Sequence, residues 1–275
     1  MTIRLRNGVK MPQIGLGVYK MTDSEETIQA ITTALDVGYR AIDTASYYFN
    51  EEEVGKAIKQ SKIPREDIFI TTKVWNDDQG YDETLRAFEK SLRLLDVDYI
   101  DAYLVHWPVP GKFVDTYRAI ERLYEEKLVR VPGVSNHHEK HLREIEKHAH
   151  TMPFVNQIEL HPYLQQKSLR SYCRENEIAV IAWAPLSRGR AFEHPIIQQL
   201  AQQYNKTPAQ IILRWHLQLG NIIIPKSVTP SRIEENFNVS DFTLLEEEMD
   251  KIATLDQNDR IGANPGLENF MDHFK

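Results

Sequence analysis

Among its 275 residues the chain has one cysteine, Cys173. A lone thiol cannot close an internal disulfide or build a thiolate-rich metal site, and no basic-then-apolar leader pattern precedes Leu5, so a reducing cytoplasm is the expected compartment. Long hydrophobic runs are missing too, with nothing near the roughly 20 apolar residues a membrane span needs. Basic charge is short: 33 Lys and Arg stand against 40 Asp and Glu, a formal net charge of −7. That sign does not gather a polyphosphate backbone, so neither nucleic acid nor a membrane is expected as a partner. Pro/Gly-rich linkers, low-complexity stretches and shifts of composition are lacking, which argues against division into two domains. What remains is a globular composition, 41% hydrophobic and 27% charged, able to bury a sizeable core.

Short β-branched or apolar runs alternate with amphipathic stretches, the pattern of repeated βα units on a parallel sheet. Candidate strands are Ile14 to Val18, Arg40 to Ile42, Ile68 to Thr72, Tyr99 to Val105, Val129 to Val134, Phe154 to Ile158, Ile178 to Ala182 and Ile222 to Ile224. Helices are expected in segments such as Ser24 to Val37, Tyr81 to Leu94, Val114 to Glu126, His138 to His148, Lys167 to Asn176 and Pro208 to Leu219. Thr207-Pro208 reads as an N-cap followed by proline at the first helical position, and Gly220 as a stop. Eight such units predict an α/β fold, one closed (β/α)8 TIM barrel spanning residues 1–275. The rival is an open doubly wound sheet, but Gly15-Leu16-Gly17 is followed by Val18-Tyr19-Lys20 and lacks the third glycine of a dinucleotide fingerprint. Ile3-Arg4-Leu5, Asn7-Gly8 and Val9-Lys10-Met11 predict an N-terminal β-hairpin closing the lower mouth.

Barrel chemistry sits at the C-terminal ends of strands. Asp43 follows the second run, Lys73 the third and His106 the fourth, and Tyr48 lies in the loop after Asp43. Taken singly, these read as a structural ion pair, a hydrogen-bonded core histidine and a packed tyrosine. Together they suit one task. A phenol with an ordinary pKa of about 10 is a poor acid at neutral pH unless a cation stabilises its phenolate. Lys73 is placed to be that cation, Asp43 to keep the lysine charged, and His106 to donate a hydrogen bond to a substrate oxygen. This is machinery for protonating a carbonyl oxygen as hydride reaches its carbon.

Asp43-Thr44-Ala45-Ser46-Tyr47-Tyr48-Phe49-Asn50-Glu51, with Lys73 and His106-Trp107-Pro108, resembles the D-T-A-x-x-Y-x-N-E segment and tetrad of the aldo-keto reductases, and the likeness covers nearly the whole chain. The resemblance implies Tyr48 as general acid, Lys73 and Asp43 as its tuning pair, and His106 as the group orienting the carbonyl. Gly133-Val134-Ser135-Asn136 and Gln157 are similar to the nicotinamide carboxamide partners, and Trp183, in a segment continuing to Leu186, takes the place of the ring that stacks on nicotinamide. Lys226, Ser227 and Arg232 resemble the adenosine 2′-phosphate site, with Glu235 and Asn236 toward adenine. Two cations and a hydroxyl suit a phosphate dianion, so NADPH is the expected cofactor. Arg188 and Arg190 are expected to border the pyrophosphate.

Tyr19, Phe49, Trp75 and Trp107 are expected to wall the substrate pocket beside His106, with a C-terminal loop around Leu267 and Phe270 over the active-site mouth. The likeness points to bacterial members acting on methylglyoxal, glyoxal or 2,5-diketo-D-gluconate, hence to a small-molecule carbonyl substrate and a monomer. Two residues depart from the family pattern: Pro132 stands where isoleucine is usual, and His137 where phenylalanine is. Proline removes a donor, which predicts a local perturbation of the fifth strand and of Ser135 and Asn136. His138-Glu139-Lys140-His141 is one residue short of H-E-x-x-H; a solvated helix face is expected there and no metal. The competing readings are a catalytically silent nicotinamide-binding sensor on the same fold, and an isomerase or aldolase using Lys73 as a Schiff-base former, which needs a neutral lysine.

Overall fold

The computed structural model describes residues 1–267 and 269–274. Every expected apolar run forms a strand. The hairpin pairs β1 (Thr2–Arg4) with β2 (Lys10–Pro12), antiparallel. The barrel strands are β3 (Leu16–Gly17), β4 (Ala41–Asp43), β5 (Phe69–Val74), β6 (Ile100–Val105), β7 (Val129–Ser135), β8 (Val155–Glu159), β9 (Ala179–Trp183) and β10 (Ile222–Ile223), each paired in parallel with the next. Between the first strand and the last, Ile14 bridges Ile223, Gly15 N donates to Ile223 O at 2.9 Å and Gly17 N to Pro225 O at 3.1 Å. That seam closes the barrel. It also explains why β3 is shorter than Ile14 to Val18, since the first residues of the run face β10 and only Leu16 and Gly17 ladder with β4.

The helices are α1 (Ser24–Val37), α2 (Glu51–Ser61), α3 (Tyr81–Leu95), α4 (Phe113–Glu125), α5 (Glu139–Glu146), α6 (Lys167–Glu175), α7 (Pro195–Tyr204), α8 (Pro208–Gln218), α9 (Pro230–Phe237) and α10 (Glu246–Ala253). α1 begins because Asp23 accepts from Glu26 N at 2.8 Å, and it buries Ile31, Ala34 and Leu35. At the start of α8, Thr207 and Gln210 form a reciprocal capping box that spans Pro208. The chain then leaves the helix at Gly220, whose φ of 78° is a left-handed value that glycine adopts without strain.

Two-residue periodicity places the site. Along β4, β5, β7, β8 and β9 the odd-numbered residues face the barrel axis; along β6 the even ones do. Ala41, Phe69, Ala102, Leu104, Val131, Val155, Ile181 and Ile222 fill the lower interior, and Leu5 and Met11 of the hairpin pack into the same cluster from below. Burying each of the larger of these side chains, the alanines apart, stabilises the barrel by about 1.5–3 kcal/mol. One step higher, the same alternation sends Asp43, Lys73, Ser135, Gln157 and Trp183 inward. Gly133 is required between these layers, because a Cβ there would stand 2.4 Å from Val155 Cγ2 and 2.6 Å from Leu104 Cδ2.

The disturbance expected at Pro132 does not occur. β7 is continuous, and Tyr103, Leu104 and Val105 pair in unbroken register with Pro132, Gly133 and Val134. The proline turns its carbonyl toward β8, where Phe154 N donates to it at 2.9 Å. Its missing N–H would have addressed the carbonyls just ahead of β8, and Arg6 Nη2 donates to both of these, Met152 O and Pro153 O. A guanidinium from the hairpin thus donates where the single N–H that proline lacks is missing.

Candidate active site

A cavity of about 560 Å³ opens at the C-terminal ends of the strands. Asp43, Tyr48 and His106 line it, with Lys73 directly behind. Lys73 is fully buried; its Nζ donates to Asp43 Oδ1 at 2.6 Å and Thr44 O at 2.8 Å, and lies 3.5 Å from Tyr48 Oη. Asp43 uses its second oxygen to accept from Gln157 Nε2 at 2.6 Å. Tyr48 is delivered by the short 3-10 turn Ser46–Tyr48, whose Ser46 Oγ donates to Lys73 O at 3.0 Å and ties the loop to β5. Asn50 holds the same loop from the other side, accepting from Thr44 Oγ1 and donating to Val18 O and Met21 O.

Burial dominates the electrostatics. It pushes the Asp43 carboxyl up, against the pull of Lys73 and the Gln157 hydrogen bond, and pushes Lys73 down, against the pull of Asp43. Tyr48 is held well above the ordinary phenol value, by burial first and then by the charge of Asp43. Burial and the neighbouring carboxylate thus favour the protonated phenol, and Tyr48 keeps its proton at neutral pH. Burial, with Lys73 adding, keeps His106 well below the ordinary imidazole range. The ring is neutral, with Nδ1 buried and without a hydrogen-bond partner among the described residues.

The expected carboxamide partners meet on the opposite wall, bonded to one another. Ser135 Oγ donates to Gln157 O at 2.8 Å, Asn136 Nδ2 donates to His106 O at 3.0 Å, and Trp183 Nε1 donates to Asn136 Oδ1 at 2.8 Å. His137 does not disturb them, since its buried ring nitrogen Nδ1 lies 2.7 Å from Ser135 O and its backbone exchanges two hydrogen bonds with the Asn156 side chain. The solvated face expected for the histidines is corrected as well. His137 and His141 are buried, and His141 Nδ1 accepts from His138 N at the start of α5. Among the described residues, no three His, Cys, Asp or Glu side chains are grouped to hold a metal ion.

Lys226 and Leu186 line the cavity, with Arg188 at its rim. Arg190 pairs instead with Asp259. Arg232 is exposed on α9, and among the described residues neither Lys226 nor Arg232 makes an ion pair. Ser227 Oγ accepts from Thr229 N, shaping the turn into α9, and Glu235 accepts from Thr207 Oγ1, while Asn236 is buried on the same helix. Lys226 thus shares the cavity lining with Trp183 and Leu186, whereas Ser227, Arg232, Glu235 and Asn236 stand outside that lining.

Tyr19, Trp75 and Trp107 wall the cavity as expected; Phe49 does not. With φ at 55°, Phe49 turns outward and is 86% exposed. Tyr47 takes the inner place, stacked on Trp75 with ring centroids 3.7 Å apart. The C-terminal segment covers the mouth, as Phe270 and Phe274 pack on Trp107, 6.0 and 4.9 Å between centroids. Leu267, expected to cover it, is 55% exposed. An anchor the sequence did not disclose is Glu159 at the end of β8. Its buried carboxylate accepts from Ile261 N at 2.6 Å and Gly262 N at 3.0 Å, beside His161 Nε2. Gly262 lies so close to Trp183 that a Cβ would stand 2.6 Å from the indole.

A closed eight-stranded parallel barrel with a phenol, a buried ion pair and an imidazole around one cavity defines the class as a barrel enzyme. The particular family follows from comparison. The family model described as Aldo/keto reductase family matches residues 13–257, and the chain belongs to that family. It is 50% identical over 264 residues to the glyoxal reductase of Bacillus subtilis, covering 96% of both chains. It is equally 50% identical over 272 residues to the 9,11-endoperoxide prostaglandin H2 reductase of Trypanosoma cruzi, covering 98% of this chain and 95% of that one. Among solved structures, a Gox0644 mutant in complex with NADPH superposes with a TM-score of 0.93 at 44% identity, over 97% of each chain.

Proposed function

We propose that this protein reduces small aldehydes, ketones and dicarbonyls of the methylglyoxal type to alcohols, with NADPH as reductant and Tyr48 as general acid. The observation carrying the proposal is the convergence of Tyr48, Lys73, Asp43 and neutral His106 on one cavity wall, opposite Trp183 and Asn136. Bound NADPH supplies the hydride; Ser135, Asn136, Gln157 and Trp183 would hold its nicotinamide, and Lys226, Ser227 and Arg232 its 2′-phosphate, with Glu235 and Asn236 toward adenine. Tyr48 Oη presents its proton to the carbonyl oxygen, Lys73 stabilises the phenolate left behind, and His106 orients the oxygen through an N–H. The aromatic cover of Trp75, Trp107, Phe270 and Phe274 excludes water and favours a compact substrate. The relative named glyoxal reductase supports the dicarbonyl class.

The test is NADPH oxidation with methylglyoxal, glyoxal and a simple aromatic aldehyde. Wild type consumes NADPH with at least one of them, and Tyr48→Phe loses turnover by a factor of about 100 or more while still binding NADPH. Full turnover by the variant refutes Tyr48 as the acid; no consumption by wild type with any carbonyl supports a silent nicotinamide-binding protein instead.

A further inference from the structure

Gln157 belongs to two networks at once. Its backbone carbonyl accepts from Asn136 N and Ser135 Oγ, both at 2.8 Å, which fixes it to the cofactor wall. Its side-chain amide crosses to the other wall and donates to Asp43 Oδ2 at 2.6 Å. The line of hydrogen bonds therefore runs from Trp183 through Asn136, Ser135 and Gln157 to Asp43, Lys73 and Tyr48.

We propose that Gln157 is a positioning residue of the proton-donating network: its amide fixes the rotation of the Asp43 carboxylate so that Oδ1 faces Lys73, and it keeps that carboxylate ionised. The inference rests on the proposed reaction for its kinetic part only. A buried carboxylate needs several donors to stay charged, and Asp43 has one cation on one oxygen and one amide on the other. Replacing the amide by an apolar chain leaves Oδ2 unsatisfied, frees the carboxylate to turn and disfavours its charge, weakening the hold on Lys73 and through it on Tyr48. The ionisable groups around this carboxylate are Lys73 on β5, Tyr48 and Tyr19 from the loops above, His106 after β6, and Glu51 at the start of α2 behind Lys73. None of these is altered by a substitution at Gln157.

The experiment compares wild type, Gln157→Met and Gln157→Leu, with Asp43→Asn to assign the signal. In the free protein, carbon-detected NMR of the aspartate carboxyls follows the titration of Asp43; in Gln157→Met and Gln157→Leu alike its midpoint rises by about one pH unit. At saturating NADPH, kcat falls by up to roughly 100-fold, and the acid limb of its pH profile moves up in step with the midpoint. Gln157→Leu removes the same donor with a side chain of different shape and reads the same effect should Gln157→Met fold poorly. A glutamine that only binds cofactor would change the NADPH Kd, measured by tryptophan quenching, and leave the Asp43 midpoint and kcat as in wild type. That result overturns the proposal. Should wild type reduce no carbonyl, the proposed reaction fails, yet the titration in the free protein still decides the role of Gln157.

Discussion

Removing either member of the Lys73–Asp43 pair should destabilise the fold, with opposite dependence on pH. Lys73 Nζ and Asp43 Oδ1 are 2.6 Å apart, and the two side chains are 0% and 6% exposed. In Lys73→Met the carboxylate is left buried without its cation, and its escape is to take a proton. Forcing a carboxyl with an unfolded pKa of about 3.9 to be neutral at pH 7 costs about 4 kcal/mol, which caps the penalty in the 3–5 kcal/mol range of broken buried pairs. The folded state then binds a proton that the unfolded state does not, so stability rises as pH falls, by about 1.4 kcal/mol per unit until the unfolded carboxyl also protonates near pH 4. In Asp43→Asn the buried lysine escapes by losing its proton, against an unfolded pKa of about 10.4, at a cost of about 4.6 kcal/mol at pH 7. Here the unfolded state binds the extra proton, so stability rises with pH.

Urea unfolding at pH 5, 6, 7 and 8 measures both slopes relative to wild type, and the double variant Lys73→Met/Asp43→Asn should be nearly flat and cost much less than the sum of the singles. Single variants that each lose under about 1 kcal/mol, or that share one sign of slope, would refute the buried ion pair as described.

Two other outcomes follow from the same geometry. Lys226→Ala and Arg232→Ala should each weaken NADPH binding about 10- to 100-fold, the value of one charge-assisted contact, and leave NADH unchanged; equal losses for both nucleotides would remove the 2′-phosphate role. Glu159→Ala should cost about 3 kcal/mol by stripping acceptors from Ile261 N and Gly262 N, and limited proteolysis should show earlier cleavage near residue 261. Burial raises the Glu159 carboxyl, but the His161, Ile261 and Gly262 hydrogen bonds leave it below its ordinary value. Its contribution is thus complete above the unfolded carboxylate range and is lost as pH falls through the folded value, a loss the alanine variant should not show.

The residues proposed as catalytic were legible because Asp43, Lys73 and His106 each lie at the end of an apolar run, and the period of two decides which side chains point inward. Asp43, Lys73 and His106 needed no knowledge of long-range contacts. The error over Phe49 and Tyr47 has a local cause: Phe49 takes a left-handed φ that sequence does not declare for a non-glycine residue, and this exchanges which aromatic ring faces the cavity. Contacts between distant segments were hidden for a different reason. Gln157 meets Asp43 across 114 positions, Glu159 meets Gly262 across 103, and Arg6 meets Pro153 across 147. No periodicity encodes such pairs; only the closed barrel brings them together. α9 carries a local signal of its own, since Thr229-Pro230 repeats the start of α8 at Thr207-Pro208.

Under the proposed reaction, a phenol raised by burial is better suited to its task than one lowered by a cation. A donor whose pKa sits well above neutrality is loaded in every resting molecule. It yields its proton only when a stronger base comes within reach, and the oxygen of a carbonyl receiving hydride becomes that base. At that moment the phenolate needs a positive charge, and Lys73 already lies 3.5 Å from Tyr48 Oη. The lysine serves the transition state more than the ground state, which is the condition for raising kcat rather than tightening binding. His106 completes the division of labour. A neutral imidazole holds no surplus proton with which to compete as the acid, so it contributes a hydrogen bond while Tyr48 contributes the proton. Burial thus sets both roles, keeping the phenol protonated and the imidazole uncharged within one cavity wall.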